Sequence, residues 1–207
     1  MAKEPRWLAL TRQLQAVAQN GLYFTEGLFD KERYAQVRDI ASELMSLGSD
    51  GEMEYINDLF SQDSGYITPK VEVRGIVIRN NRILLVEERS DGCWSLPGGW
   101  AEPGLSPGAC IEKEIYEEAG LQAKAMRLLA VFDRLNHDHP PYPFHVYKLF
   151  FHCEAPMGDP VVGLETAAAD FFSLDNLPNL SRGRVTEAQI EHMLEAINHP
   201  DRLVAFD

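Results

Sequence analysis

The sequence is short of positive charge, of cysteine and of long apolar runs, and each shortage excludes something. Lysine and arginine number 19 against 32 aspartates and glutamates, a formal net charge of −13. Such a chain lacks the basic footprint that grips a polyanion, which argues against long nucleic acid as its main partner. Short anionic ligands stay open if metal ions mediate the contact. Cys93, Cys110 and Cys153 are odd in number, far apart and without a C-x-x-C pair. They indicate neither a disulfide framework nor a structural zinc site, and read as small, partly buried side chains. No apolar run approaches the length that crosses a bilayer. The opening residues, MAKEPRWLALTRQLQ, place polar side chains where a signal peptide needs an unbroken apolar core, so a cytoplasmic location is expected. Internal repeats and low-complexity tracts are also missing.

What is present suits a globular protein. The 207 residues, 45% hydrophobic and 25% charged, allow one ordinary domain plus a small one. Residues 1–66 differ in pattern from residues 67–207. Trp7, Leu10, Leu14 and Val17 follow helical spacing, and Tyr34, Val37, Ala41 and Leu44 repeat it, with Ile40 and Leu47 widening the stripe. Asp30 is placed to cap the second helix and Gly48 to stop it. A third short helix is expected over 52–60. Three short helices make a thin core, so this arm reads as a dimer interface, a substrate lid or a packing subdomain. The stretch SQDSGYITP is the linker that ends it.

Beyond the linker strands and helices alternate, which gives an α/β or α+β class. VEVRGIVIRN and RILLVEE are strand-like and joined by Asn80-Asn81, suited to a tight hairpin turn. Further strands are expected in KAMRLLAVFDR, FHVYKLFFHCE and AAADFFSL. A final helix fits TEAQIEHMLEAIN, with Thr186 at its N-cap and Gln189 completing a capping box.

Between these lies LPGGWAEPGLSPGACIEKEIYEEAGL, with four glutamates after a glycine-rich turn. A helix from Ser106 or Pro107 to Gly120 has a proline where a first turn tolerates it and a glycine where a helix stops. At about 100° per residue, Glu114, Glu117 and Glu118 share one edge, next to Ile111, Ile115 and Ala119, which face the core. Glu112 and Tyr116 point toward solvent. Like charges at this spacing repel unless something positive binds. Three carboxylates at i, i+3 and i+4 make a hard oxygen-rich edge suited to Mg²⁺ or Mn²⁺, which keep waters that phosphate oxygens can replace.

The segment resembles the Nudix box, G-x5-E-x7-R-E-U-x-E-E-x-G-U with U apolar. Gly99, Glu114, Ile115, Glu117, Glu118, Gly120 and Leu121 match it in spacing. Leu105 stands where the box has its first glutamate, and Lys113 where it has arginine. Within the family that glutamate supports the site and the arginine orients the acids; Lys113 keeps the charge at i to i+4 from Glu117 but loses the bidentate fork. The resemblance extends over nearly the whole chain, to a Nudix subgroup with an N-terminal helical domain acting on nucleoside diphosphates linked to a second moiety X. It implies an α/β/α sandwich with a mixed sheet behind a small helical domain. It also implies Mg²⁺- or Mn²⁺-dependent hydrolysis of NDP-X, such as ADP-ribose or CDP-choline, to NMP and X-phosphate. The metal would rest on Glu114, Glu117 and Glu118. Two other readings stand beside this one: a Nudix-fold protein that senses a nucleotide without cleaving it, and a nucleoside triphosphate hydrolase.

Several residues extend this reading. Such enzymes often borrow another acid from a loop beyond the box; Glu165 is the candidate here, with Asp170 behind it, and Glu117 and Glu118 complete the catalytic set. Gly99, Arg74 and Arg134 are candidate substrate contacts. Arg74, in an apolar strand, must meet either an anion or a structural ion-pair partner. His137 and His139 flank Asp138 in a polar loop, and a zinc site there would need a third ligand. Trp94, Trp100 and Tyr142 either stack on a base or belong to the core. The arm offers more apolar surface than its own helices bury, which predicts a homodimer.

Overall fold

The computed structural model describes residues 5–48, 65–163 and 165–207. They divide into two compact units: Met1–Pro69 with Pro141–His145, and Lys70–Pro140 with Val146–Asp207. The helix expected over 52–60 and residues 61–64 of the linker lie outside the described residues.

In the first unit, α1 (Arg6–Phe24) and α2 (Leu28–Gly48) form a helical hairpin. Its second helix starts earlier than its sequence suggested. Lys31 donates its backbone N–H to the Gly27 carbonyl, so Asp30 sits inside the first turn and pairs with Arg33 at 2.9 Å. The buried seam is unusually polar. Thr11, Gln15, Gln19 and Ser42 lie inside beside Leu8, Ala18, Ala41 and Met45. The inner polar groups find partners: the Thr11 hydroxyl donates to Trp7 O and the Ser42 hydroxyl to Arg38 O, while the Gln15 amide donates to Gln19 Oε1 and the Gln19 amide to Gly65 O. Most of the apolar stripe read from the sequence faces outward instead, with Val17 60% and Leu47 78% exposed and Leu10, Leu14, Ile40 and Leu44 beside them, whereas Ala41 turns inward.

The second unit contains β1 (Lys70–Arg79), β2 (Arg82–Glu88), β3 (Trp94–Ser95), α3 (Pro107–Ala119), β4 (Lys124–Asp133), β5 (Val146–Glu154), β6 (Thr166–Ser173), α4 (Glu187–Asn198) and β7 (Ala205–Phe206), with a 3-10 turn at Arg134–Asn136. The strands form one mixed sheet in the order β3-β2-β1-β5-β4-β7, with β6 beside β2. Pairing of β1 with β5, and of β4 with β7, is parallel; the other pairs are antiparallel. The β1–β2 hairpin turns on Asn80 and Asn81, both at positive φ (52° and 58°), which asparagine tolerates better than most residues.

Alternation along the strands feeds two cores. Val73, Val77, Phe151 and Cys153 pack against Ile111, Ile115 and Ala119 of α3. Ile76, Phe150, Ala130 and Phe132 pack against Ile190, Met193 and Ala196 of α4. Successive residues of one strand thus serve opposite faces, giving helix, sheet and helix in layers. Both helices have the ends expected for them. Ser106 caps α3 by accepting from Ala109 N, Pro107 opens it, and Gly120 closes it in the left-handed conformation. Thr186 and Gln189 form a reciprocal capping box on α4.

Candidate active site

The acidic edge of α3 lies against the turn that follows β3, and β1 holds that turn rigidly. Gly75 N donates to Pro97 O and Val73 N to Gly99 O, both at 2.9 Å. At Gly98 φ is 144°, and a Cβ there would lie 2.0 Å from the Val73 carbonyl oxygen, so only glycine fits. The Gly98 amide is thereby aimed at Glu118 and donates to Oε2 at 2.8 Å. Gly99 gives equally close access to Glu114, whose Oε1 would stand 2.9 Å from a Cβ on that residue.

The three box glutamates occupy different environments. Glu118 is only 6% exposed. Burial pushes its carboxyl up to about 8, opposed by Arg74 and the Gly98 amide and reinforced by Glu88 and Glu114. Burial also raises Glu114, with Glu117 adding to the effect. Glu117 is half-exposed and pairs with Lys113 at 2.9 Å. Lys113 reaches Glu102 at the same distance, so the lysine that replaces the box arginine bridges two acids. Leu105 is exposed and joins no ionic contact. Glu112 departs from the helical-wheel expectation. Instead of facing solvent freely, it accepts the Ala125 N–H and pairs with Lys124, tying α3 to the start of β4.

The loop carrying Glu165 packs on the C-terminal end of α3. Val161 N donates to Ala119 O, the Thr166 hydroxyl donates to Glu118 O, and Gly163 N donates to that same hydroxyl oxygen. A Cβ on Gly163 would lie 1.8 Å from Glu117 O, so the loop sits directly on the helix backbone. Glu165 is exposed, next to Thr166. Asp170 is on β6, facing solvent, where Oδ1 accepts from Phe171 N.

Arg74 is buried with its fork engaged. Nε and Nη2 bind Glu72 Oε1, and Nη1 donates to Leu96 O at 2.8 Å and to Ser95 Oγ at 3.1 Å. Of the two roles open to it, the ion pair is the one present. Arg134 is buried in the 3-10 turn, close enough to Lys148 and His139 to influence both. The two loop histidines do not converge. His137 meets Asp207 at 3.3 Å, while His139 Nδ1 faces Arg182 O and its Nε2 faces the Gln189 amide. Trp94 packs on Phe172 within the core, Tyr142 packs on Phe144 in the first unit, and Trp100 is exposed beside Gly99. Sequence reading passed over Glu72, Glu88, Ser95 and Lys148, the polar residues under the turn.

Among the described residues no three His, Cys, Asp or Glu side chains close a ligand cage. Glu114, Glu117 and Glu118 offer hard oxygen donors of the type taken by an ion that keeps most of its waters, with Glu118 buried and Glu117 exposed on the same helix. Burial raises both Glu118 and Glu114, so each favours its protonated form when no cation is bound. No helix among the described residues is long and apolar enough to cross a membrane.

Comparison with known proteins agrees over the whole length. Residues 5–60 match the UDP-X-like N-terminal oligomerisation domain, and residues 69–193 match the NUDIX domain. The chain is 44% identical over 204 residues to a candidate ADP-ribose pyrophosphatase, YjhB, of Bacillus subtilis, spanning 99% of this chain and 98% of that one. A crystal structure of a UDP-X diphosphatase superposes with a TM-score of 0.63 at 35% identity, over 97% of this chain and 98% of that one. An ADP-ribose pyrophosphatase from Streptococcus suis superposes with a TM-score of 0.59 at 36% identity, over 68% of this chain and all of its own. With an N-terminal oligomerisation domain and a NUDIX domain both matched, and a relative 44% identical over nearly the full length, the chain belongs to the Nudix hydrolase family.

Proposed function

We propose that the protein hydrolyses the diphosphate of a nucleoside diphosphate linked to a second moiety, with ADP-ribose the leading substrate and CDP-choline of the same class. The reaction is NDP-X plus water to NMP plus X-phosphate. The water oxygen bonds to one phosphorus, and the bridging P–O bond breaks with its electron pair leaving on the departing phosphate. The observation that carries this reading is the pairing of buried Glu118 with the Gly98 amide, beside Glu114 on Gly99. Names of relatives matching over nearly the full length support the substrate class.

Glu114, Glu117 and Glu118 would hold Mg²⁺ or Mn²⁺. Bound there, a divalent ion supplies charge neutralisation for two phosphates and lowers the pKa of the attacking water. The chain's own part is positioning. The Gly98 amide fixes one oxygen of Glu118, Lys113 restrains Glu117, and the β1 hydrogen bonds keep the turn from yielding. Glu165, on the loop seated over the helix end, is the proposed proton acceptor for the water. Trp100 is the exposed aromatic next to Gly99 and is suited to stacking on a base. The outward stripe on the arm supports a homodimer.

The test is product identification with Mg²⁺ and ADP-ribose, CDP-choline, ADP-glucose, NADH and deoxynucleoside triphosphates. AMP and ribose 5-phosphate from ADP-ribose, lost on chelation, are expected. Saturable nucleotide binding with no product from any of them would replace hydrolysis with sensing.

A further inference from the structure

Lys148 lies at the middle of the sheet, on β5, in register between Glu72 of β1 and Phe132 of β4. It is 0% exposed, and its Nζ donates to Glu72 Oε2 at 2.6 Å. Stability accounts for part of it. Arg74 engages Oε1 of the buried Glu72 carboxylate and Lys148 holds Oε2, so two buried cations share one acid. Replacing a whole buried ion pair with apolar side chains is often neutral or stabilising, but removing one partner leaves the other charge uncompensated and costs stability. The surroundings add no relief. Arg74 and Arg134 are like charges nearby, and His139 is held neutral, its Nδ1 donating to Arg182 O and its Nε2 accepting from Gln189. Burial draws the amine down to about 7, against the opposing pull of Glu72.

The contacts of Glu72 show what the lysine achieves. With Oε2 on Lys148 and Oε1 on Arg74, both carboxylate oxygens are anchored and the group cannot turn about its last bond. The Arg74 fork is then fixed in one plane, with Nη1 on Leu96 O and Ser95 Oγ. Leu96 is two residues before Gly98, whose amide holds Glu118. Ser95 also donates to Glu88 Oε1, which pairs with Arg184 at 2.9 Å, so the brace is anchored at its other end as well.

We propose that Lys148 is a positioning residue for the diphosphatase reaction: through Glu72 and Arg74 it sets the turn that presents the Gly98 amide to Glu118. The inference rests on the hydrolase reading, but its structural half does not depend on turnover. Lys148, enclosed within the sheet, acts through Glu72 rather than at the surface.

The experiment is Lys148→Met in the full chain, read three ways. Methionine fills a similar volume but leaves Glu72 Oε2 buried without its donor, so the melting temperature should fall while the chain stays folded at assay temperature. Gly98 amide hydrogen exchange, followed by NMR, should accelerate about tenfold or more as its bond to Glu118 loosens. On the best substrate kcat should fall about 10- to 100-fold, the range typical of groups behind a catalytic site, with KM within about twofold. In a Glu72→Gln background, Lys148→Met should cost little more, since the path runs through Glu72. Unchanged Gly98 exchange overturns the proposal, and so does activity lost only in step with melting temperature or losses that multiply in the double variant. If the wild-type chain hydrolyses none of the panel, the hydrolase reading fails, while Gly98 exchange still decides the brace.

Discussion

Cation binding at this site should expel a proton, and the amount follows from Glu118. Without a cation its carboxyl is pushed up to about 8, chiefly by burial. Only the ionised form serves as a ligand. The ionised fraction is then about one hundredth at pH 6, about one tenth at pH 7 and about nine tenths at pH 9. Apparent Mg²⁺ affinity should therefore rise about tenfold between pH 6 and 7 and level off above pH 9. Calorimetry at pH 7, in two buffers that differ in heat of ionisation, should report close to one proton released per ion bound. The sign of the stability effect follows too. In the cation-free protein the folded state holds this proton from the ordinary value of 4.5 up to about 8, while the unfolded chain has released it. Stability should fall as pH rises through that window, and added Mg²⁺ should raise the melting temperature more at pH 8 than at pH 6. Mg²⁺ affinity that is flat from pH 6 to 8, with no proton release, would refute the claim that a buried, protonated Glu118 is part of the cation site.

Two other outcomes are expected. Glu118→Gln should lower kcat on the order of 100-fold or more with the fold intact, because it removes charge but keeps shape; Glu112→Gln, which retains an acceptor for the Ala125 N–H, should stay within about twofold of wild type, and equal losses would show that the acidic edge has been drawn on the wrong side of α3. Replacing Val17 and Leu47 together by glutamate should convert a dimer to a folded monomer in sedimentation at low micromolar concentration, whereas a monomeric wild-type chain would remove the dimer.

The parts of the structure legible in the sequence are those set by local chemistry. Ser106, Pro107 and Gly120 announce both ends of α3, Asn80-Asn81 announces a turn that needs two positive φ values, and Thr186 with Gln189 announces a cap. Glu114, Glu117 and Glu118 were legible through spacing. What escaped depends on which surface covers which. On α1, the apolar stripe faces out and a line of Thr11, Gln15 and Gln19 faces in, a choice that periodicity alone cannot make. On β5, both faces are covered, so alternation no longer separates inside from outside and Lys148 reads like a surface lysine. Its partner Glu72 is 76 residues away in the chain, brought alongside only by the parallel register of β1 and β5. Glu112 escaped because a helical wheel shows the direction of a side chain but not the strand waiting beside it.

The position of the acids along α3 matters as much as their face. A helix accumulates partial negative charge at its C-terminal end, and Glu114, Glu117 and Glu118 all lie in its last two turns, with no basic residue in the final one. The carbonyls of Glu118 and Ala119 are already taken by Thr166 and Val161, which leaves the side chains to carry the field. Once Glu118 is ionised, macrodipole and formal charges therefore add at one end of one short helix, and Lys113 offsets only the outermost of them. A cation arriving there is drawn by the helix as a whole as well as by individual carboxylates, and it takes over from the proton on Glu118 the task of limiting repulsion at that end.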